Sequence, residues 1–197
     1  ELAQAYYKDN KRQNKVLIIA IAMSVFLLYS AFSIAYGKVR SDYLIDIRGM
    51  GTVATVSLEN GSKAQYEQMK SLPYIIDTGI KKTVGSATFQ EHWEGKLIYL
   101  DNSAYEKMEM PAYTDIIGSY PLKADEIMLS ASSLQQMNID HPEVGMEIEL
   151  RTILSEGAEE TAIFTLSGYY TDYIDFSVME PEAYVSKAFL DQHEIPV

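Results

Sequence analysis

Cysteine is absent from all 197 residues, which removes disulfides, thiolate zinc sites and cysteine nucleophiles together. Histidine is scarce: His92, His141 and His193 lie 49 and 52 residues apart. None falls in an H-x-H or H-E-x-x-H spacing, and each neighbours Asp or Glu in loop-like sequence, the pattern of exposed polar residues rather than metal ligands. The chain also lacks a G-x-S-x-G elbow, a phosphate-cradling Walker loop, a G-x-G-x-x-G turn and the spaced D-x-D-x-D-G run of a calcium loop. Glu156, Glu159 and Glu160 therefore read as a solvated hairpin tip. No catalytic constellation, cofactor site or metal site is expected on this chain.

Basic residues become sparse after Arg40. Residues 1–40 hold six basic groups and two acidic ones, whereas residues 41–197 hold 10 basic and 26 acidic groups. A surface that acidic repels nucleic-acid phosphates, so nucleic acid is not an expected partner.

What the chain does possess is one long apolar run. Residues 16–36, VLIIAIAMSVFLLYSAFSIAY, are 21 residues without a charge. A helix rises about 1.5 Å per residue, so this run covers the roughly 30 Å hydrocarbon core of a bilayer. Its serines can return their hydroxyls to the helix's own carbonyls. Lys8, Lys11, Arg12 and Lys15 precede it, while Lys38 and Arg40 beyond it are diluted by Asp42 and Asp46. The positive-inside bias places the N-terminus in the cytoplasm and the acidic part outside, with Tyr36 at the interface. Membrane lipid is thus an expected partner, in a cell membrane of bacterial type. A cleaved signal peptide, with Ser33-Ile34-Ala35 as processing site, and a buried helix of a soluble protein are the competing readings, but the run exceeds the usual apolar region of roughly 7 to 15 residues, and a buried soluble helix is rarely apolar on every side for six turns. Residues 1–15 form a basic cytoplasmic lead, either a short interfacial helix with Leu2, Ala5 and Tyr6 near one face or an unstructured tail.

Beyond the apolar run, periodicity predicts strands over 43–47, 52–58, 74–80, 82–89, 95–100, 126–129, 147–150, 161–168 and 183–186. It predicts helices over 63–72, 104–108, 132–137 and 187–192, with Ser62, Pro73 and Pro111 as boundary signals. No internal repeat, heptad or low-complexity tract is apparent. The mixture indicates an α+β class. The run Tyr169-Tyr170-Thr171-Asp172-Tyr173-Ile174-Asp175-Phe176 combines stacking rings with carboxylates. Tyr169, Tyr170, Asp172 and Tyr173 are accordingly candidates for a ligand or partner surface, against the alternative of a strand whose alternate tyrosines pack into a core.

The order of basic lead, membrane helix and large outer domain resembles the N-terminal part of MacB/FtsX-like ABC transporter permeases. The resemblance is carried by Glu126-Ile127-Met128-Leu129-Ser130 with Leu134 and Met137, by Val144-Gly145-Met146-Glu147-Ile148-Glu149-Leu150, and by Phe164-Thr165-Leu166-Ser167-Gly168-Tyr169-Tyr170. It implies a cytoplasmic lead (1–15), a transmembrane helix (16–37), a porter-like α+β lobe (42–117), a β-rich inserted lobe (118–175) and a return to the first lobe (176–197). It further implies a noncatalytic subunit, part of a longer chain, that works with a separate ATPase and a second permease copy, so that ATP is bound on a partner. An extracytoplasmic peptide or protein would be its target, for export or for signalling across the membrane. The rival classes are a ligand-sensing ectodomain of a receptor such as a sensor kinase, a singly anchored binding protein, and an exported enzyme.

Overall fold

The computed structural model describes residues 11–154, 157, 159–174 and 179–197. Lys8, the rest of the expected interfacial lead up to residue 10, Glu156, Asp175 and Phe176 lie outside the described residues. The chain divides into two compact units, Glu1–Ile45 and Asp46–Val197.

The described residues of the first unit are helical. Helix α1 (Lys11–Met50) runs for 40 residues, and its apolar segment is unburied on every side. Among the described residues it is the one helix long and apolar enough to cross a membrane. It does not stop at the expected position 37. The expected strand at 43–47 is its continuation, because Val39, Tyr43, Ile47 and Met50 recur at helical spacing and Lys38 pairs with Asp42 one turn on at 3.1 Å. Gly51, at φ 70°, ends the helix by directing its N–H back to the Arg48 carbonyl.

The second unit is built around one mixed sheet: β1 (Lys81–Phe89), β2 (Trp93–Leu100), β3 (Thr114–Gly118), β4 (Glu126–Ser130), β5 (Glu147–Leu154), β6 (Glu159–Thr171) and β7 (Glu182–Val185). The strand order is β3-β6-β4-β7-β2-β1-β5, and β5 also pairs with β6. Six strands therefore close into a barrel, with β3 extending β6 on the outside. Pairs β4–β6 and β2–β7 are parallel; the other pairs are antiparallel. Strand pairing joins all three segments expected from the resemblance in this single sheet, since β1 bonds to β5 and β2 to β7.

The sequence pattern explains which strands lie where. In β5 the residues Ile148, Leu150, Thr152 and Leu154 face the barrel interior while Glu147, Glu149, Arg151 and Ile153 face solvent. The second half of β2 (97–100) and, after their first glutamates, β4 and β7 are buried without alternation because both faces are covered. Leu97, Ile127, Leu129, Ala183 and Val185 point into the barrel, whereas Ile98, Met128 and Tyr184 point to a second core outside it. Gly85 sits where β1 approaches β5; a Cβ there would collide with the Ile153 carbonyl.

Helices α3 (Ala131–Gln136) and α4 (Lys187–Gln192) follow β4 and β7, and here the structure corrects the reading that the chain has no repeat. Ser130 and Ser186 each cap the helix, accepting the N–H of Ser133 and Phe189 respectively. Each helix then turns through a left-handed residue, Asn138 (φ 61°) or Glu194 (φ 55°). The next residues, Ile139 and Ile195, donate their N–H groups to Leu134 and Leu190 at 2.9 Å in both cases. Glu126/Glu182, Ser130/Ser186, Leu134/Leu190, Gln136/Gln192 and Ile139/Ile195 are identical pairs 56 residues apart. Strands β4 and β7 lie antiparallel side by side, each flanked by a parallel strand from the other half. The barrel is thus two copies of a unit, hairpin plus strand plus helix, related by a local two-fold.

Two further expectations differ. The β-branched stretch 52–58 and the stretch 74–80 are not strands, and β3 appears where none was expected. Helix α2 (Lys63–Lys70) forms between the first two, closed by a capping box between Ser62 and Gln65.

Candidate functional site

The residues that follow α1 attach to a short irregular helix. Met108 presents its carbonyl to two donors, the Val53 N–H at 2.8 Å and the Thr52 hydroxyl at 3.2 Å. Met108 belongs to a π-helical turn (Ala104–Glu109) followed by a 3₁₀ turn (Met110–Ala112) containing Pro111. Asp101 starts the turn by accepting the Ala104 N–H at 2.7 Å. Within the unit beginning at Asp46, Arg48 also lies over the Tyr173 ring, 4.9 Å from its centre, and the Tyr173 hydroxyl bonds Thr114 Oγ1 at 2.9 Å.

The next residue, Glu109, is 5% exposed and anchors that turn in a closed polar ring. Lys81 Nζ reaches Glu109 at 3.4 Å and Glu182 at 2.8 Å. Tyr113 donates to the other Glu109 oxygen at 2.8 Å. The hydroxyls of Tyr113 and Tyr184 bond one another, and Tyr184 lies 3.3 Å from Glu182 Oε2. Tyr170 stacks on Tyr113, ring centres 4.1 Å apart, and beside Tyr184 at 5.7 Å. Burial drives the Tyr113, Tyr170 and Tyr184 hydroxyls well above the ordinary phenol value. Burial also raises the Glu109 carboxyl, against the opposing pull of Lys81 and Tyr113. The phenols are therefore neutral donors sealed in a core, without access for a substrate. The ring holds Glu109, and with it the Met108 carbonyl, to β1 and β7.

The sequence-expected residues are distributed as follows. Lys11, Arg12 and Lys15 occupy the exposed first turns of α1, and Tyr36 is exposed on it. Tyr169 packs against the barrel core, whereas Tyr170, at 2% exposure, lies in the outer core. Asp172 is half-buried and accepts the Ser132 hydroxyl at 2.6 Å, burial raising its carboxyl above the ordinary value. Tyr173 is exposed and engaged with Arg48 and Thr114. These four side chains do not form one open surface. Among the described residues no group of three or more His, Asp or Glu side chains could hold a metal.

Sequence reasoning missed Lys81, Glu109, Tyr113, Thr52 and Val53. The ring joins residues up to 101 positions apart, so no local motif marks it. The one local sign is a carboxylate between Met108 and Met110, two side chains that surround it with apolar sequence.

No protein-family model and no curated protein matches the chain. Several solved structures resemble it. Among them are the extracellular domain of the noncanonical ABC-type transporter YknZ from Gram-positive bacteria (9% identity, covering 67% of this chain and 65% of that one), a domain of a putative permease from Porphyromonas gingivalis (13% identity, 60% and 54%), and the periplasmic region of MacB from Actinobacillus actinomycetemcomitans (10% identity, 74% and 69%). Each has a TM-score of 0.39. The chain spans about two thirds of the first and about half of the second.

Proposed function

We propose that the chain is part of a noncatalytic permease subunit of MacB/FtsX type, in which α1 carries motion between a cytoplasmic ATPase and the extracytoplasmic barrel. The observation that carries this reading is the helix itself. It continues without a break from the apolar segment to Met50, and the next three residues hand the backbone to the Met108 carbonyl. A tether needs slack, in the form of a polar or glycine-rich linker; a transmitting rod needs continuity and a fixed far end. The basic first turns, Lys11, Arg12 and Lys15, suit the cytoplasmic side where an ATP-binding partner would dock, and ATP is bound there rather than on this chain. Export of a peptide or protein, or signalling to one outside the cell, is the work such a coupling would do.

The test is affinity purification of the parent protein from native membranes. An ATP-binding ABC subunit is expected to co-purify in stoichiometric amount. Recovery of a kinase or cyclase domain on the same polypeptide, without such a subunit, would favour a receptor and overturn the proposal.

A further inference from the structure

Glu109, Tyr113, Tyr184 and Glu182 form a chain of carboxyl, phenol, phenol and carboxyl linked by three contacts. Each contact needs one hydrogen. The two phenols supply two, and an ionised carboxylate supplies none. With both glutamates ionised, Tyr113 gives its hydrogen to Glu109, and Tyr184 then holds one hydrogen for two acceptors, Tyr113 Oη and Glu182 Oε2. One more proton on a carboxyl completes the chain: Glu109 donates to Tyr113, Tyr113 to Tyr184, and Tyr184 to Glu182. Charge leads to the same number. Among the described residues Lys81 is the one cation in contact with the ring, and it faces two carboxylates. The ring is neutral when one carboxyl is protonated and holds an uncompensated negative charge when neither is.

Geometry selects Glu109 as the carrier. Lys81 Nζ lies 2.8 Å from Glu182 and 3.4 Å from Glu109, and the Glu109 side chain is 7% exposed against 15% for Glu182. The carboxylate nearer to the lysine and to water keeps the charge. The titratable groups facing Glu109 are Lys81 from β1, Tyr113 from the end of its own turn, Tyr170 from β6, and Glu182 and Tyr184 from β7. Lys107, on the same turn, is directed to Asp77 instead. Burial holds the Glu109 carboxyl above its ordinary value, in keeping with the hydrogen count. Lys81, 41% exposed, marks the edge at which the proton exchanges with water. Glu109 adjoins Met108, whose carbonyl holds Val53 and Thr52. Without the proton, a charge is left among three phenols, and local opening of the turn to water relieves it. We propose that the ring binds one exchangeable proton, carried by Glu109, and that losing it frees the Met108 carbonyl from residues 52 and 53. The bound proton stands apart from the proposed function; only the reading that it reports acidity outside the cell rests on that function.

The test uses the full-length parent protein in lipid nanodiscs, without ATPase or nucleotide. Infrared difference spectra across a pH titration read the carbonyl stretch of protonated carboxylic acids. A band is expected that titrates above the ordinary carboxylate value, is lost in Glu109→Gln and survives in Asp172→Asn, which removes a second carboxyl raised by burial. Glu182→Gln leaves one carboxylate for one lysine, so the band is expected to titrate at lower pH there than in the parent. Hydrogen exchange at residues 50–54 and 104–109 is taken as the ratio of parent to Glu109→Gln at each pH, so that intrinsic rates cancel. That ratio is expected to rise several-fold over the interval in which the band disappears, while the ratio at β4 stays flat. If no band is lost specifically in Glu109→Gln, the bound proton is overturned. If the band is present but the exchange ratio is constant with pH, or rises equally at β4, the release is overturned. Neither result depends on whether an ATP-binding subunit co-purifies.

Discussion

Glu109 concentrates the chemistry of this domain at one side chain. Its carboxyl is raised because burial outweighs the stabilisation offered by Lys81 and Tyr113. The folded protein binds that proton more tightly than the unfolded chain does, so Glu109 subtracts from stability as pH rises from the ordinary carboxylate value through the folded one. A glutamine there cannot ionise. The stability of Glu109→Gln relative to the parent chain is therefore expected to improve as pH rises above the ordinary carboxylate value. Urea titrations followed by near-UV tyrosine dichroism measure this, and a difference that is flat or moves the other way contradicts the burial argument. Nothing in the sequence around Glu109 announces this role, because its partners arrive from β1 and β7. The tyrosine run was legible only as alternation: Tyr169 and Tyr170 go to opposite sides of β6, so neighbouring rings could not both serve one surface.

At the level of elements, hydrophobic pattern found the strands whose faces are decided by burial. The alternation in β5 and the apolar blocks of β2 and β4 are examples. It failed where the pattern fits two periods or where no partner edge exists. Residues 43–47 satisfy both a strand and a helix period, and the helix already running from the membrane segment decides the outcome. Residues 52–58 have strand-like composition, but the Val53 N–H goes to a helical carbonyl and not to a strand, and composition alone supplies no pairing edge. The duplicated β4–α3 and β7–α4 units were hidden because their five identical positions are diluted by ten that differ over residues 126–140. The two capping serines, 1% and 0% exposed, test that equivalence. Ser130→Ala and Ser186→Ala are each expected to cost about 1 to 2 kcal/mol, since each removes an N-cap in a buried setting. Urea midpoints of the two variants should fall together; a loss at one position and none at the other would contradict the two-fold account.

At the scale of the whole molecule, the unit that begins at Asp46 carries the last turn of α1, the Met108 junction and the barrel. The barrel's interior is closed by α3 and α4 through Leu134, Phe189 and Leu190, all 0% to 2% exposed. A close-packed body of this kind moves as a unit rather than deforming. On the proposed reading, the last turn of α1, the Val53–Met108 bond and the ring at Glu109 would be the route by which force on the helix reaches it. The central claim is that nucleotide acting on the cytoplasmic side is felt at this junction. Hydrogen-exchange mass spectrometry of the parent protein with its ATPase in nanodiscs, with and without a non-hydrolysable ATP analogue, measures that directly. The account predicts that exchange at residues 50–54 and 104–109 changes with nucleotide while the barrel strands β4 and β7 stay protected. Exchange at the junction that is identical in both states would contradict it.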